Sequence, residues 1–332
     1  MASTVTVRGM NQEIIRNCLK GREQVSKTDL AALTGLSFPT VSRTIDHLVN
    51  TGEVETVGAG SSSGGRCAML YRLNPLHAVY LLLTIERGRL RWKLKDLGGR
   101  VLAQASRQGE GRLWEAIGET AQSIKELYPQ LRAVVIGAAG MVSKGRLMLS
   151  EGDQELEGRD LEGFFSERLE VPVRAVNDMN AAAAGCWSRT GMERGACVCL
   201  YLGGNGMGAG IVLDGRVWPG AADFAGELGF LPDMKERLQP WNDAFSARGM
   251  QDVYRRIIQT YAVLLNPERI VLYTNPFLEG MMEELYEDCS RYLPEYAVPL
   301  LELSDDFERD YEMGMMEIAG KMEWRQKTEF MV

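Results

Sequence analysis

Apolar residues recur at helical spacing through the first fifty positions and then change period. Ile14, Ile15, Cys18 and Leu19 fall on one face of a helix that Asn11 would cap. Ser26 with Asp29 three residues on resembles a capping box and opens a short helix through Leu30 and Leu33, which Gly35 ends. Ser37 caps a third helix, with Pro39 tolerated in its first turn because the missing N–H has no helical partner there. Val41, Ile45 and Leu48 point inward, leaving Thr40, Ser42, Arg43, Asp46 and His47 outside. Two alternating runs, 53–57 and 68–73, then predict strands joined by a Gly/Ser-rich tip.

Beyond residue 76 the pattern becomes α/β. Strands are expected at 79–85, 89–94 and 100–105, a helix at 113–127, then strands at 133–140 and 146–149. A helix at 161–169, a strand at 171–178 and an alanine-rich helix at 180–188 follow. The order restarts with strands at 196–204 and 208–215. It continues with a helix near 245–265, a strand at 269–275, a helix near 278–293, a strand at 297–303 and a closing helix. Strands first and then strand–helix alternation, occurring twice, predict two related lobes with a cleft between them. The expected division is a head at 1–75 and a body at 76–332, with lobes of about 76–185 and 195–332.

Charge sharpens the division. The chain of 332 residues has a formal charge of −8, of which residues 1–75 contribute +2 and the remainder −10. A mildly basic head on an acidic body suits a reader of double-stranded DNA whose body avoids the phosphates. A winged helix-turn-helix places the N-terminal end of its third helix against base edges, so Thr40, Ser42 and Arg43 are the candidate contacts, with Arg43 suited to a guanine or a phosphate. In the tip, Gly64 and Gly65 allow close backbone approach, and Arg66 suits the negative potential of a narrow minor groove. No run of about 18 apolar residues is present to span a bilayer. The N-terminal stretch lacks an apolar leader, and six cysteines sit without framework spacing, so a cytoplasmic protein with reduced thiols is expected.

Three segments carry a resemblance: VNDMNAAAAGCW (176–187), GNGMGAGIVLDGRVWPGAADFAGELGF (204–230) and LLNPERIVL (264–272). With the winged head and its GGR tip they resemble the ROK family of repressors and sugar kinases. The resemblance implies a two-lobed actin-like ATPase fold behind a winged helix-turn-helix. It also implies a transcription regulator, expected to be a repressor, acting as a homodimer or homotetramer on an inverted-repeat operator.

In the family's kinases the aspartate of an Asn-Asp-x-Asn motif takes the sugar's proton, and a glutamate of a Gly-Glu-Ile-Gly-His motif contacts sugar hydroxyls. Asn177, Asp178 and Glu227 match these and are the candidate contacts for a sugar or sugar-derivative effector. Asp178 fits equally as the N-cap of the following helix, and Glu227 as a solvated residue.

The family's zinc and sugar histidine is Phe230 here, and no Cys or His occurs between Cys199 and Cys289, so no zinc of the family's kind is expected. Cys197 and Cys199 read as core residues. The first phosphate loop aligns with Thr84–Gly88 and carries Glu86 where a phosphate would approach. The second loop keeps Gly204, Gly206, Gly208 and Gly210 but has Asn205 in place of threonine, and reads as a structural hairpin. Tyr273-Thr274 replaces the Gly-Gly set against adenosine. These losses predict neither nucleotide cofactor nor catalysis, with a sugar kinase bearing an appended head and a ligand-blind scaffold as the competing readings.

Overall fold

The computed structural model describes residues 4–20, 22–59, 68–109, 111–150, 152–203, 206–232, 234, 247–276, 278 and 280–329. Helix α1 (Thr4–Leu19) begins well before Asn11, which therefore lies inside the helix instead of capping it. Ile15 and Leu19 are buried, whereas Ile14 is 40% exposed. Strand β1 (Val25–Ser26) leads into α2 (Lys27–Thr34), where Ser26 Oγ accepts from the Asp29 N–H and donates to the Asp29 carboxylate at 2.7 Å. Gly35 ends α2 at φ 68°, a left-handed conformation that glycine adopts without strain. Leu33 points outward, since α2 is too short to bury more than the Leu30 face.

Helix α3 (Phe38–Asn50) is capped by Ser37 and buries Val41, Thr44, Ile45 and Leu48. Strands β2 (Val54–Ala59) and β3 (Met69–Leu73) pair antiparallel, and β1 adds a short third strand in the order β1-β3-β2. A bidentate pair between Arg16 and the buried Glu53 ties α1 to the base of this hairpin.

The body repeats one topology. The first sheet has the order β10-β7-β4-β5-β6, made of β4 (Val79–Glu86), β5 (Arg89–Asp96), β6 (Val101–Gln108), β7 (Leu131–Ala138) and β10 (Val173–Asn177). The second has the order β13-β12-β11-β14-β15, made of β11 (Ala196–Gly203), β12 (Gly206–Leu213), β13 (Arg216–Val217), β14 (Arg269–Tyr273) and β15 (Leu300–Ser304). In each sheet the first strand pairs antiparallel with the second and parallel with the fourth, which pairs parallel with the fifth. Strands β8 (Met141–Ser143) and β9 (Arg146–Leu149) form a small separate ribbon.

Period-two alternation distributes the side chains among three apolar clusters. Leu81 and Leu83 of β4 meet α4 (Leu113–Leu127) and α5 (Leu161–Leu169) on the outer face. Tyr80 and Leu82 turn the other way, into a central cluster with α6 (Asp178–Thr190) and α9 (Phe307–Glu329). On the second sheet Val198 and Leu200 face α7 (Ala247–Leu264) and α8 (Met282–Tyr292), while Cys197 and Cys199 face the center.

Helices α6 and α9 thus lie between the sheets. They cross closely: a Cβ at Gly185 would run into the Asp310 carbonyl, and one at Gly314 into that of Ala181. The central cluster also takes in Ile15, Leu19, Val41 and Ile45, so apolar packing is continuous from the first three helices into the body.

Candidate nucleic-acid interface and ligand cleft

The exposed face of α3 is a shallow depression lined by Phe38, Ser42, Arg43, Asp46, His47 and Asn50. Alternation at 3.6 residues per turn produces it, because Val41, Ile45 and Leu48 hold the opposite side against α1 and α2. Arg43 is exposed and makes no ion pair among the described residues. Thr40 is half-buried, its Oγ1 2.8 Å from the Ser37 Oγ. Ser42 accepts from Lys27 Nζ at 3.0 Å and donates to Asp46, which Lys27 also holds at 2.5 Å. The Lys27 bridge between α2 and α3 had no signature in the sequence, since it joins residues 19 apart. Gly64, Gly65 and Arg66 lie outside the described residues, as do Gly204 and Asn205.

Between the two sheets lies a cleft of about 880 Å³. Asn177, Asp178 and Glu227 all line it, so residues 50 positions apart in sequence meet across the lobes. The first two stand at the end of β10, where the strand turns into α6. Asn177, and not Asp178, is the N-cap: its Oδ1 accepts from the Asn180 N–H at 2.9 Å. Its Nδ2 donates to the Gly140 carbonyl at 2.9 Å and to Asp178 Oδ1 at 3.1 Å. Asn177 is thereby occupied in positioning Asp178.

The Asp178 Oδ1 also accepts from the Met179 N–H at 2.8 Å. Burial pushes the Asp178 carboxyl up to about 7, the Met179 N–H opposes this, and the negative fields of Glu227 and Glu86 reinforce it. Desolvation likewise raises Glu227, which is half-buried in the cleft wall. Phe230 lies beside it, its ring 4.9 Å from that of Phe224.

Several lining residues escaped the sequence reading. Helix α9, whose sequence carries no motif, brings Phe307, Glu308 and Tyr311 into the cleft. Arg91 joins Glu86 at 3.2 Å to Glu308 at 3.4 Å. Asp153 accepts from the backbone N–H groups of Arg87 and Gly88 and so shapes the turn between β4 and β5. Among the described lining residues, Glu86, Asp153, Asp178, Glu227 and Glu308 outnumber Arg87 and Arg91. Ser143 donates to Asp223 at 2.8 Å, a hydrogen bond from one lobe to the other.

Gly208 and Gly210 of the second loop serve the hairpin β11–β12. A Cβ at Gly208 would meet the Met179 side chain at 2.9 Å, and one at Gly210 the Met179 carbonyl, so they let the hairpin lie on the start of α6. Tyr273 is buried and donates from its hydroxyl to Asp310 at 2.9 Å, a core role.

The model of the ROK family matches residues 91–238. Those residues of the body are thus similar to ROK family domains. The xylose repressor of Caldicellulosiruptor bescii is 25% identical over 241 residues, covering 69% of this chain and 60% of the repressor. The chain thus spans about three fifths of the length of the curated relatives it matches. A solved ROK family transcriptional regulator, described as a homolog of the Escherichia coli MLC protein, superposes with a TM-score of 0.71. It is 19% identical and covers 96% of this chain and 97% of its own. The ROK hexokinase of Thermus thermophilus superposes with a TM-score of 0.54 at 20% identity, covering 73% of this chain and 99% of its own. At these identities the solved structures establish the fold, the two-lobed α/β architecture of ROK proteins. No helix among the described residues is long and apolar enough to cross a membrane.

Proposed function

We propose that the chain is a ROK-type transcription regulator, acting as a repressor. Residues 1–75 form a winged helix-turn-helix that reads double-stranded DNA, and residues 76–332 form a sugar-kinase-like scaffold that no longer catalyzes. The observation that carries the reading is α3: a capped, rigidly packed helix whose outer face presents Arg43 beside a polar rim. Phosphates and guanine edges are what an exposed guanidinium at that end of a recognition helix contacts. Ser42 is held by Lys27 and Asp46, so its hydroxyl supports the helix pair more than it seeks a base. Two such heads on a homodimer or homotetramer would engage the half-sites of an inverted repeat.

The cleft suits a neutral polyol. Asp178 Oδ2 and Glu227 offer acceptors for hydroxyl groups, Asp178 near neutrality can also donate, and the surplus of carboxylates repels sugar phosphates and nucleotides. Coupling to DNA needs an element that touches both sites. Helix α9 fits: it lines the cleft with Phe307 and Tyr311, and its Glu317 and Lys321 lie within electrostatic range of Lys20 at the end of α1. A sugar would release DNA by binding the released arrangement better than the DNA-bound one.

A mobility-shift titration on the chain's own upstream DNA, repeated over a salt series, tests the head. Arg43→Ala should weaken specific binding by about 10-fold, the worth of roughly one good contact. Absence of a specific shift, or an Arg43→Ala variant that binds like the parent, refutes the DNA reading. Thermal-shift screening of neutral sugars against sugar phosphates tests the cleft. A sugar that raises the melting temperature, with the rise lost in Glu227→Ala, supports an effector site, while no shift from any neutral sugar leaves a ligand-blind scaffold. ATP-dependent phosphorylation of a sugar that Asp178→Asn abolishes would revive the kinase reading.

A further inference from the structure

Three cysteines from two elements converge in the central cluster. Cys197 and Cys199 stand two apart on β11 and so point to the same face, and Cys186 descends onto them from the third turn of α6. Their sulfur atoms all lie within 4.8 Å of one another and all three residues have zero exposure. Cysteine packs as a small apolar residue, and one or two would need no other account. A triangle of thiols is a different object, because three sulfurs at this spacing nearly describe a coordination shell. With metal–sulfur bonds of about 2.3 Å, a trigonal arrangement places the sulfurs about 4 Å apart, which side-chain rotation reaches from the observed spacing.

We propose that Cys186, Cys197 and Cys199 form a three-thiolate site for a soft, low-coordinate metal ion of the cuprous type. Softness follows from an all-sulfur donor set. Three-coordination follows from the surroundings. The nearby carboxylates are spent: Arg189 holds Asp310 through Nε at 2.7 Å and Nη2 at 3.0 Å, the Tyr273 hydroxyl donates to Asp310, and Glu302 is paired with Arg189 and Arg269. Among the described residues no histidine or carboxylate joins the sulfur group, so the fourth ligand of a structural zinc site is missing.

Arg189 Nη2 also lies 3.6 Å from Cys186 Sγ, where it donates toward the sulfur and offsets thiolate charge. On binding, each thiol releases its proton to solvent as its sulfur–metal bond forms, and no electron is exchanged. The ion would pin α6 to the second sheet, eight residues along the helix from Asp178. Burial means it enters during folding or by transient opening of α6 and α9.

The test is anaerobic titration of the reduced full chain with cuprous ion, in competition with a colored cuprous chelator. X-ray absorption of the copper then counts the sulfur neighbors. The expected result is one ion retained per chain with three sulfur ligands. Cys197→Ser and Cys199→Ala should lose it, and Cys18→Ser and Cys289→Ser should keep it. Failure of the folded parent to hold copper against the chelator overturns the proposal. So does a sulfur count below three, or retention undiminished in a Cys197→Ser, Cys199→Ala double variant. The parent's own stoichiometry and sulfur count decide the matter even if a variant fails to fold.

Discussion

Replacing Asp178 by asparagine should stabilize the protein, and by more at high pH. The carboxyl is raised from an ordinary 3.8 to about 7, chiefly by burial and then by the neighboring Glu227 and Glu86. Between these values the folded chain holds a proton that the unfolded chain has lost, so stability falls as pH rises through that window. Above about 7 the folded state carries the desolvated charge in full.

The interval from pH 5 to 8 contains about two pH units of this loss, a ceiling of about 2.7 kcal/mol. Solvent reaching the carboxylate from the cleft lowers it to about 2 kcal/mol. In the Asp178→Asn variant the amide keeps an Oδ1 acceptor for the Met179 N–H and has no charge to desolvate. Its melting temperature should therefore exceed the parent's by an amount that grows by about 4 °C from pH 5 to pH 8. Scanning fluorimetry of both ligand-free proteins across that range, at constant ionic strength, measures the difference. Parallel curves would show that Asp178 is ionized and solvated throughout, and would remove the basis for a cleft donor at neutral pH.

Two further perturbations probe the scaffold. Gly185→Val places methyl groups where α6 meets the Asp310 carbonyl of α9, and should cost about 3 kcal/mol or prevent folding, read by thermal melts followed by circular dichroism. A melt like the parent's would mean that the two helices do not cross as described. Arg189→Leu leaves the buried Asp310 without its bidentate partner and should cost about 3–5 kcal/mol in urea unfolding. Adding Asp310→Leu should recover much of that loss, whereas two independent and additive losses would refute the pairing.

The local elements were written in the chain with little ambiguity. Caps at Ser26 and Ser37, the left-handed stop at Gly35 and the inward face Val41–Ile45–Leu48 each involve residues within one or two helical turns, so a linear pattern carries them. The repeat of strand and helix order likewise implied two related lobes, and both sheets share one strand order. The sequence misled where two neighbors compete for one role. Asn177 and Asp178 are both good caps, and the choice fell to Asn177 because its amide also reaches Gly140. Asn11 looked like a helix start only because the residues before it lack a strong apolar period.

Residue type and short spacing were enough to settle which segments fold locally and which face of α3 is polar. Each of those properties can be read within a turn or two of chain. What meets in the cleft and beneath it was settled by packing alone. Only the seating of α6 and α9 between the sheets brings Glu227, Glu308 and Tyr311 to Asp178, and only the docking of α6 on β11 closes three thiols into a triangle. Contacts of that kind join positions far apart in the chain, and no local period encodes them.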